Sequence, residues 1–287
     1  MLGAAAGLAG LVGYSYLIEP FWLEIIRHDV VLPSLPSTLD GLVLAQLSDF
    51  HLRGSRRDGD ALDQAIRQCN RANPDLIVMT GDYLGERRGL SELPRALGQL
   101  EVRPAYAVLG NHDYRFGPKY RRMIESCFAD AGIELLDNRA VAFERDGERL
   151  WVIGVGDGLT SHDRLDDAAR GLGADDRPRI LLTHYPDLLL DISTERIELA
   201  LAGHSHGAQI HLPYLARMAL RRSETVFDRG FFEVGGVPLY VNRGLGTSGR
   251  PVRLFARPEL TFLTLRAGRR PACRSRSESH SPARLSG

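Results

Sequence analysis

The stretch Leu76-Ile77-Val78-Met79-Thr80-Gly81-Asp82 decides the fold. An apolar run leads into a glycine and a carboxylate, the pattern of a buried strand that delivers a polar side chain to one edge of a sheet. Four other polar clusters stand in the same relation to the runs before them. Leu42–Leu47 leads into Ser48-Asp49-Phe50-His51, and Ala105–Leu109 into Gly110-Asn111-His112-Asp113. Ile180–Leu182 leads into Thr183-His184, and Glu198–Ala202 into Gly203-His204-Ser205-His206. In open α/β sheets that carboxyl edge is where ligands bind. Asp and Asn oxygens with imidazole nitrogens make a mixed donor set suited to Mn, Fe(II), Zn, Co or Ni. The pattern predicts a hydrolase site built around two metal ions.

Outward from these clusters, Asp58–Asn73 carries apolar residues at Ala61, Leu62, Ala65 and Ile66 and reads as an amphipathic helix ended by Pro74. Ser91–Leu100 and Lys119–Ala131 read as the next two helices. This βαβαβ rhythm predicts a mostly parallel sheet covered by helices. From Gly132 the pattern changes to short strands at Ile133–Leu136, Val141–Glu144 and Leu150–Val155, with Asp146-Gly147 as a hairpin turn. Asp163–Leu172 reads as a helix. Phe231–Val234, Leu239–Val241, Val252–Phe255 and Glu259–Leu265 suggest a β-rich closing half. The expected fold class is α/β, a two-sheet β-sandwich flanked by helices over residues 40–266, with the metal ligands at the sheet ends.

The two ends of the chain read differently. Residues 1–18 carry no charge and are rich in Gly, Ala and Leu, a poor composition for a soluble helix. Spanning a bilayer takes about 20 apolar residues, so residues 1–23 are expected to be a membrane anchor, with Tyr14, Tyr16 and Trp22 at an interface. The nearest basic residue, Arg27, follows the segment and favours a single-pass protein of the cell's inner (cytoplasmic) membrane with a cytoplasmic catalytic domain. Residues 24–39, with Pro33 and Pro36, read as a tether. Residues 267–287 are rich in Arg and Ser and read as a disordered basic tail. Lys plus Arg and Asp plus Glu both number 36, so no global field argues for a nucleic-acid partner. The cysteines, Cys69, Cys127 and Cys273, are scattered, which argues against a disulfide framework.

Within the clusters, residues two apart in extended chain point to one side, so Asp49 with His51, and His204 with His206, can face one metal or an adjacent pair. Gly81 lets the backbone approach closely. The Asp82 carboxylate has two oxygens and can bridge cations about 3.5–4 Å apart. Asn111 offers a neutral oxygen, His112 can reach a leaving group, and Asp113 can orient that imidazole or raise its pKa.

The series D-x-H, G-D, G-N-H-D, H and G-H-x-H resembles the pattern of the calcineurin-like metallophosphoesterase superfamily, over about residues 40–266 and with every ligand position kept. The resemblance implies that family's four-layer fold. It also implies one metal held by Asp49, His51, Asp82 and His206, and a second by Asp82 as bridge, Asn111, His184 and His204. His112 would be the general acid with Asp113 behind it. Two divalent cations are implied as cofactors, Mn, Fe or Zn, with Mn favoured. The implied reaction is hydrolysis of a phosphodiester or pyrophosphate by a metal-activated water, with no covalent protein nucleophile. Arg243-Gly244-Leu245-Gly246-Thr247-Ser248 further resembles a stretch of the membrane-associated bacterial branch, which includes phosphodiesterases acting on UDP-2,3-diacylglucosamine. Such a substrate is lipid-linked, and Arg243 or Arg250 could bind a second phosphate; a surface salt bridge is the equal alternative for either arginine. A phosphomonoesterase or a nuclease on the same site, and a non-catalytic scaffold on the same fold, are the competing functions.

Overall fold

The continuously apolar runs form adjacent strands because each buries both of its faces. In the computed structural model, which describes residues 2–54, 60–192 and 196–269, the strands make two six-stranded sheets. The first has the order β1 (Glu24–Leu32), β12 (Glu259–Ala267), β2 (Val43–Leu47), β3 (Leu76–Thr80), β4 (Ala105–Val108) and β5 (Glu134–Leu135). The second has the order β10 (Gly230–Val234), β11 (Val237–Val241), β9 (Leu199–Ala202), β8 (Arg179–Leu182), β7 (Glu148–Gly154) and β6 (Arg139–Arg145). Both sheets are mixed. β2 to β5 run parallel, as do β11, β9, β8 and β7, whereas β12 runs antiparallel to β2 and the edges β6 and β10 antiparallel to their neighbours.

Side chains alternate between two cores along each central strand. Leu44, Leu76, Val78 and Val108 of the first sheet meet Val152, Ile180, Leu182 and Leu201 of the second. The alternate residues Ala45, Leu47, Ile77 and Met79 face the helices packed on the first sheet. These are α2 (Asp60–Ala72), α3 (Leu93–Gly98) and α5 (Pro118–Asp130); α1 (Leu2–Leu17) precedes the sheets and α4 (Asn111–Tyr114) is the single turn after β4. On the outer face of the second sheet, Leu181, Ala200 and Leu239 pack with Ala168 of α6 (Leu165–Ala168) and Leu188 of α7 (Leu188–Asp191). The result is four layers. Sequence sets the element ends: α2 opens with Asp60 and Asp63 and closes with Arg71, as the helix dipole favours, and stops where Asn73 turns left-handed before Pro74. Asp146 and Gly147 both have positive φ, the conformation that a two-residue hairpin between β6 and β7 requires.

Four expectations need correction. The expected tether, residues 24–39, contains β1, paired in parallel along its whole length with β12 from Glu24↔Glu259 to Leu32↔Ala267. Its inward positions mix Ile26, Val30 and Leu32 with Glu24 and His28, so the alternation that marks a strand is broken in sequence. The expected membrane-spanning helix is also not found: among the described residues no helix is long and apolar enough to cross a membrane. Helix α1 has 16 residues, which at 1.5 Å per residue is about 24 Å, short of a hydrocarbon core of about 30 Å. It ends because Glu19 turns inward, fully buried, to accept the Ala256 amide at 2.6 Å, while the Ser15 carbonyl accepts the Arg253 amide at 3.0 Å. Val252–Phe255 is no strand; it wraps the buried Arg253 guanidinium, which donates to the Arg243 and Gly244 carbonyls at 3.0 Å each and to Ala256 at 2.7 Å. Asp163–Leu172 holds only the one-turn α6, whereas α8 (Pro213–Arg222) was not expected. Residues 270–287, most of the basic tail and Cys273 with it, lie outside the described residues.

Candidate metal centre

Parallel register at the sheet centre sets the polar clusters side by side: Leu47 pairs with Met79, Thr80 with Val108, and Leu182 with Leu201. The loops that follow carry every expected ligand into one buried cluster. His51 Nε2 lies 3.3 Å from Asp82 Oδ2 and 3.8 Å from Asp49 Oδ1. His206 Nε2 lies 3.4 Å from Asp49 Oδ1 and 2.9 Å from His51 Nε2. On the other side of Asp82, its Oδ1 is 3.4 Å from His184 Nε2, which is 3.1 Å from Asn111 Oδ1 and 3.2 Å from His204 Nδ1. Asp82 therefore sits between two groups, Asp49–His51–His206 and Asn111–His184–His204.

Convergence is not achieved by extended chain. Asp49, His51, Asp82, His204 and His206 all have φ between 46° and 75°, so the i, i+2 pairs meet through left-handed turns, not through strand alternation. For non-glycine residues this costs about 1–3 kcal/mol each and persists only where the surroundings impose it. Gly81 behaves as its position implied: a Cβ there would lie 2.7 Å from Gly110 N and 2.8 Å from His184 Nδ1. The Gly244 loop covers Asp49 from the other side, with Leu245 N donating to Ser48 O at 3.0 Å and Gly246 N to Asp49 O at 2.7 Å. This is the physical content of the Arg243–Ser248 stretch: its backbone grips the Asp49 loop, and Arg253 holds its carbonyls.

Electrostatics follow from burial and mutual charge. Burial alone would raise the Asp82 carboxyl, but His184 and His112 pull it well below the usual range. Burial lowers the His184 imidazole, yet the Asp82 charge outweighs it and raises His184 well above its ordinary value. His206 goes the other way, since burial exceeds the pull of Asp49. His184 Nδ1 lies 2.8 Å from the Thr80 carbonyl, a partner that fixes the ring and leaves Nε2 for the cluster. Two ionised carboxylates, an amide oxygen and four imidazoles in mutual reach fit two divalent cations.

His112 lies at the rim. Its amide donates to Asp82 Oδ1 at 2.9 Å and its ring meets His51 edge-on, centroids 4.6 Å apart. Burial pushes the imidazole down to about 4, opposed by the Asp82 charge. Asp113 is not behind it. Its Oδ2 accepts the Asp82 and Gly110 amides at 2.9 and 3.0 Å, and its Oδ1 those of Tyr83 and Leu84 at 2.9 and 3.2 Å. With its acceptor sites filled by backbone, Asp113 clamps the Asp82 loop. For Arg243 the ion-pair alternative holds: buried, it pairs with Glu259 and, at 2.9 Å, with Glu24, so its charge is spent on the fold. Arg250 is exposed and lies outside the cluster. Arg53 and Arg115 line a cleft of about 370 Å³ with His51, His112 and Glu86, Arg53 donating to the Thr247 and Gly249 carbonyls and Arg115 to the Gly85 carbonyl. Sequence offered a signal for both: Arg53 stands two residues past His51, and Arg115 one helical turn past His112.

The chain matches the model of the calcineurin-like phosphoesterase family over residues 42–208. It belongs to that family. This phosphoesterase is 30% identical to the uncharacterized metallophosphoesterase YkuE of Bacillus subtilis, over 93% of this chain and 95% of that one. It is also 30% identical to the phosphodiesterase YaeI of Escherichia coli, over 88% and 92%. At 26% identity it matches the UDP-2,3-diacylglucosamine pyrophosphatase LpxG of Chlamydia muridarum over 86% of this chain and 90% of that one. The protein is a metal-dependent phosphoester hydrolase, and the family's use of divalent metals agrees with the donor set.

Proposed function

We propose that this phosphoesterase hydrolyses a phosphodiester or pyrophosphate bond in a lipid-linked substrate of the UDP-2,3-diacylglucosamine class. The observation that carries the reading is the bracketing of Asp82 by two donor groups, with His112 and two arginines on the open side. Asp49, His51, Asp82 and His206 would hold one cation, and Asp82, Asn111, His184 and His204 the other, with manganese favoured. When bound, such a pair activates water at neutral pH and neutralises charge on the phosphoryl oxygens. The chain's own residues do the rest. Arg53 and Arg115 orient the anionic group, and His112 gives a proton to the departing oxygen. His112 must be protonated for that step, so a bound substrate phosphate has to raise it from its lowered value. Asp113 keeps the Asp82 loop fixed.

The names of YaeI and LpxG support a diester or pyrophosphate over a monoester. Exposed Leu8, Leu11, Val12, Leu17 and Trp22 support contact with a lipid surface; we assign the catalytic face to the cytoplasmic side, following Arg27. Products from UDP-2,3-diacylglucosamine in detergent micelles test the reading, with manganese-loaded protein and Asp82→Asn as blank. UMP and the lipid monophosphate are expected. Silence on this substrate beside brisk hydrolysis of bis(p-nitrophenyl) phosphate would discard it and keep the chemistry.

A further inference from the structure

A second pocket, of about 260 Å³, lies between the end of α1 and the catalytic body. Tyr16, Leu17 and Phe21 wall it from the N-terminal side, and Phe50 and Leu245 from the body. His51 lines it too, and the same histidine lines the cleft that holds Arg53, Arg115 and His112. One residue of the metal cluster therefore lines both a largely apolar pocket and a cleft that carries two arginines and Glu86. We propose that the pocket beneath α1 takes the hydrocarbon chain attached next to the scissile phosphate, making the N-terminal helix a part of the substrate site. The inference rests on the phosphoesterase reading and deepens it: the substrate is an amphiphile whose phosphate faces Arg53 and Arg115 while its tail passes His51.

The arrangement has a physical logic. The α1 end is not loosely placed, because the buried Glu19 and the Ser15 carbonyl fasten it to residues 253–256. An apolar cavity kept open between fastened walls loses contacts that a chain would restore. Its volume has room for roughly eight groups of the ~30 Å³ that a water occupies in the liquid, a count close to that of methylenes. Leu17 stands at the mouth, 64% exposed, so it can be replaced without disturbing the core.

The test uses the full chain loaded with manganese and a series of alkyl p-nitrophenyl phosphates, methyl to dodecyl, kept below their aggregation concentrations. Each methylene taken from water contributes about a fourfold gain in kcat/KM at most. We expect the octyl ester to exceed the methyl ester at least tenfold, with little further gain at dodecyl. Leu17→Arg should lower the octyl-to-methyl ratio at least fivefold, while Leu8→Ser, on the same helix but outside the pocket, leaves the ratio as it is. A flat series, a ratio indifferent to Leu17→Arg, or an equal fall in Leu8→Ser would overturn the proposal. If no ester is hydrolysed, the diester reading of the substrate fails, and the pocket is read by binding instead. Fluorescence of 11-(dansylamino)undecanoic acid should rise with the wild-type protein and not with Leu17→Arg; no rise with either overturns the pocket as well.

Discussion

His112 lines the open cleft, and its ring makes no hydrogen bond to a carboxylate of the cluster, whereas His51 in the same cleft lies 3.3 Å from Asp82 Oδ2. A general acid acts on the leaving group and not on the cations. His112→Asn should therefore keep the metal content while kcat falls about 10²–10⁴-fold, most for esters with poor leaving groups. Loss of metal together with turnover would make His112 a ligand, which its reach toward His51 and Asp82 allows. Asp113 gives the opposite signature. Asp113→Ala leaves four buried amides without an acceptor, and an unmet buried donor costs about 1–3 kcal/mol. Urea unfolding should show a loss of roughly 3 kcal/mol or more, with lower metal occupancy because the Asp82 loop is freed. Full stability with a shifted pH profile would return Asp113 to the imidazole.

Among the elements, β1 joins the N-terminal segment to the catalytic body through one buried charge group. Arg243 follows β11 and meets Glu259 at the start of β12 and Glu24 at the start of β1. Removing one member of a buried pair typically costs 3–5 kcal/mol because the other charge is left alone. With Glu24 partly exposed, Arg243→Ala is expected at the lower end, about 3 kcal/mol by chemical denaturation, and with no defect in phosphate binding. A raised KM for diesters at unchanged stability would contradict this. Five strand ends were legible because buried parallel strands are continuous apolar runs, and the polar residues ending them stand out. Strand β1 was not, since its inward Glu24 and His28 serve an ion pair and aromatic contacts with Phe231 and Tyr240. The contacts of Asp113 are hidden for a related reason: its partners are backbone amides, which leave no trace in residue type. The left-handed turns at Asp49, His51 and His206 were equally hidden, as neither Asp nor His demands that conformation.

For the whole molecule, two sheets and their flanking helices bring together seven proposed ligands that no single element could supply, and five of those residues sit in strained backbone. Charge balance in the cluster gives a pH dependence with a definite sign. Without a cation, His184 is raised by Asp82 and His51 by Asp49 and Asp82, each against the effect of burial, while the Asp82 carboxyl is lowered. Ligation needs the neutral imidazole, so metal binding works against the raised pKa of both rings and favours proton release. Affinity should fall as pH falls, and calorimetry in buffers of different ionisation enthalpy should register proton release. His206, held low by burial, is already neutral and contributes none. The most direct test of the two-cation centre is metal content after equilibrium dialysis against manganese, for the wild type and Asp82→Asn side by side. Two ions per chain in the wild type and a deficit at both positions in the variant are expected. One ion in a fully active wild type, or two in Asp82→Asn, would contradict a centre bridged by Asp82.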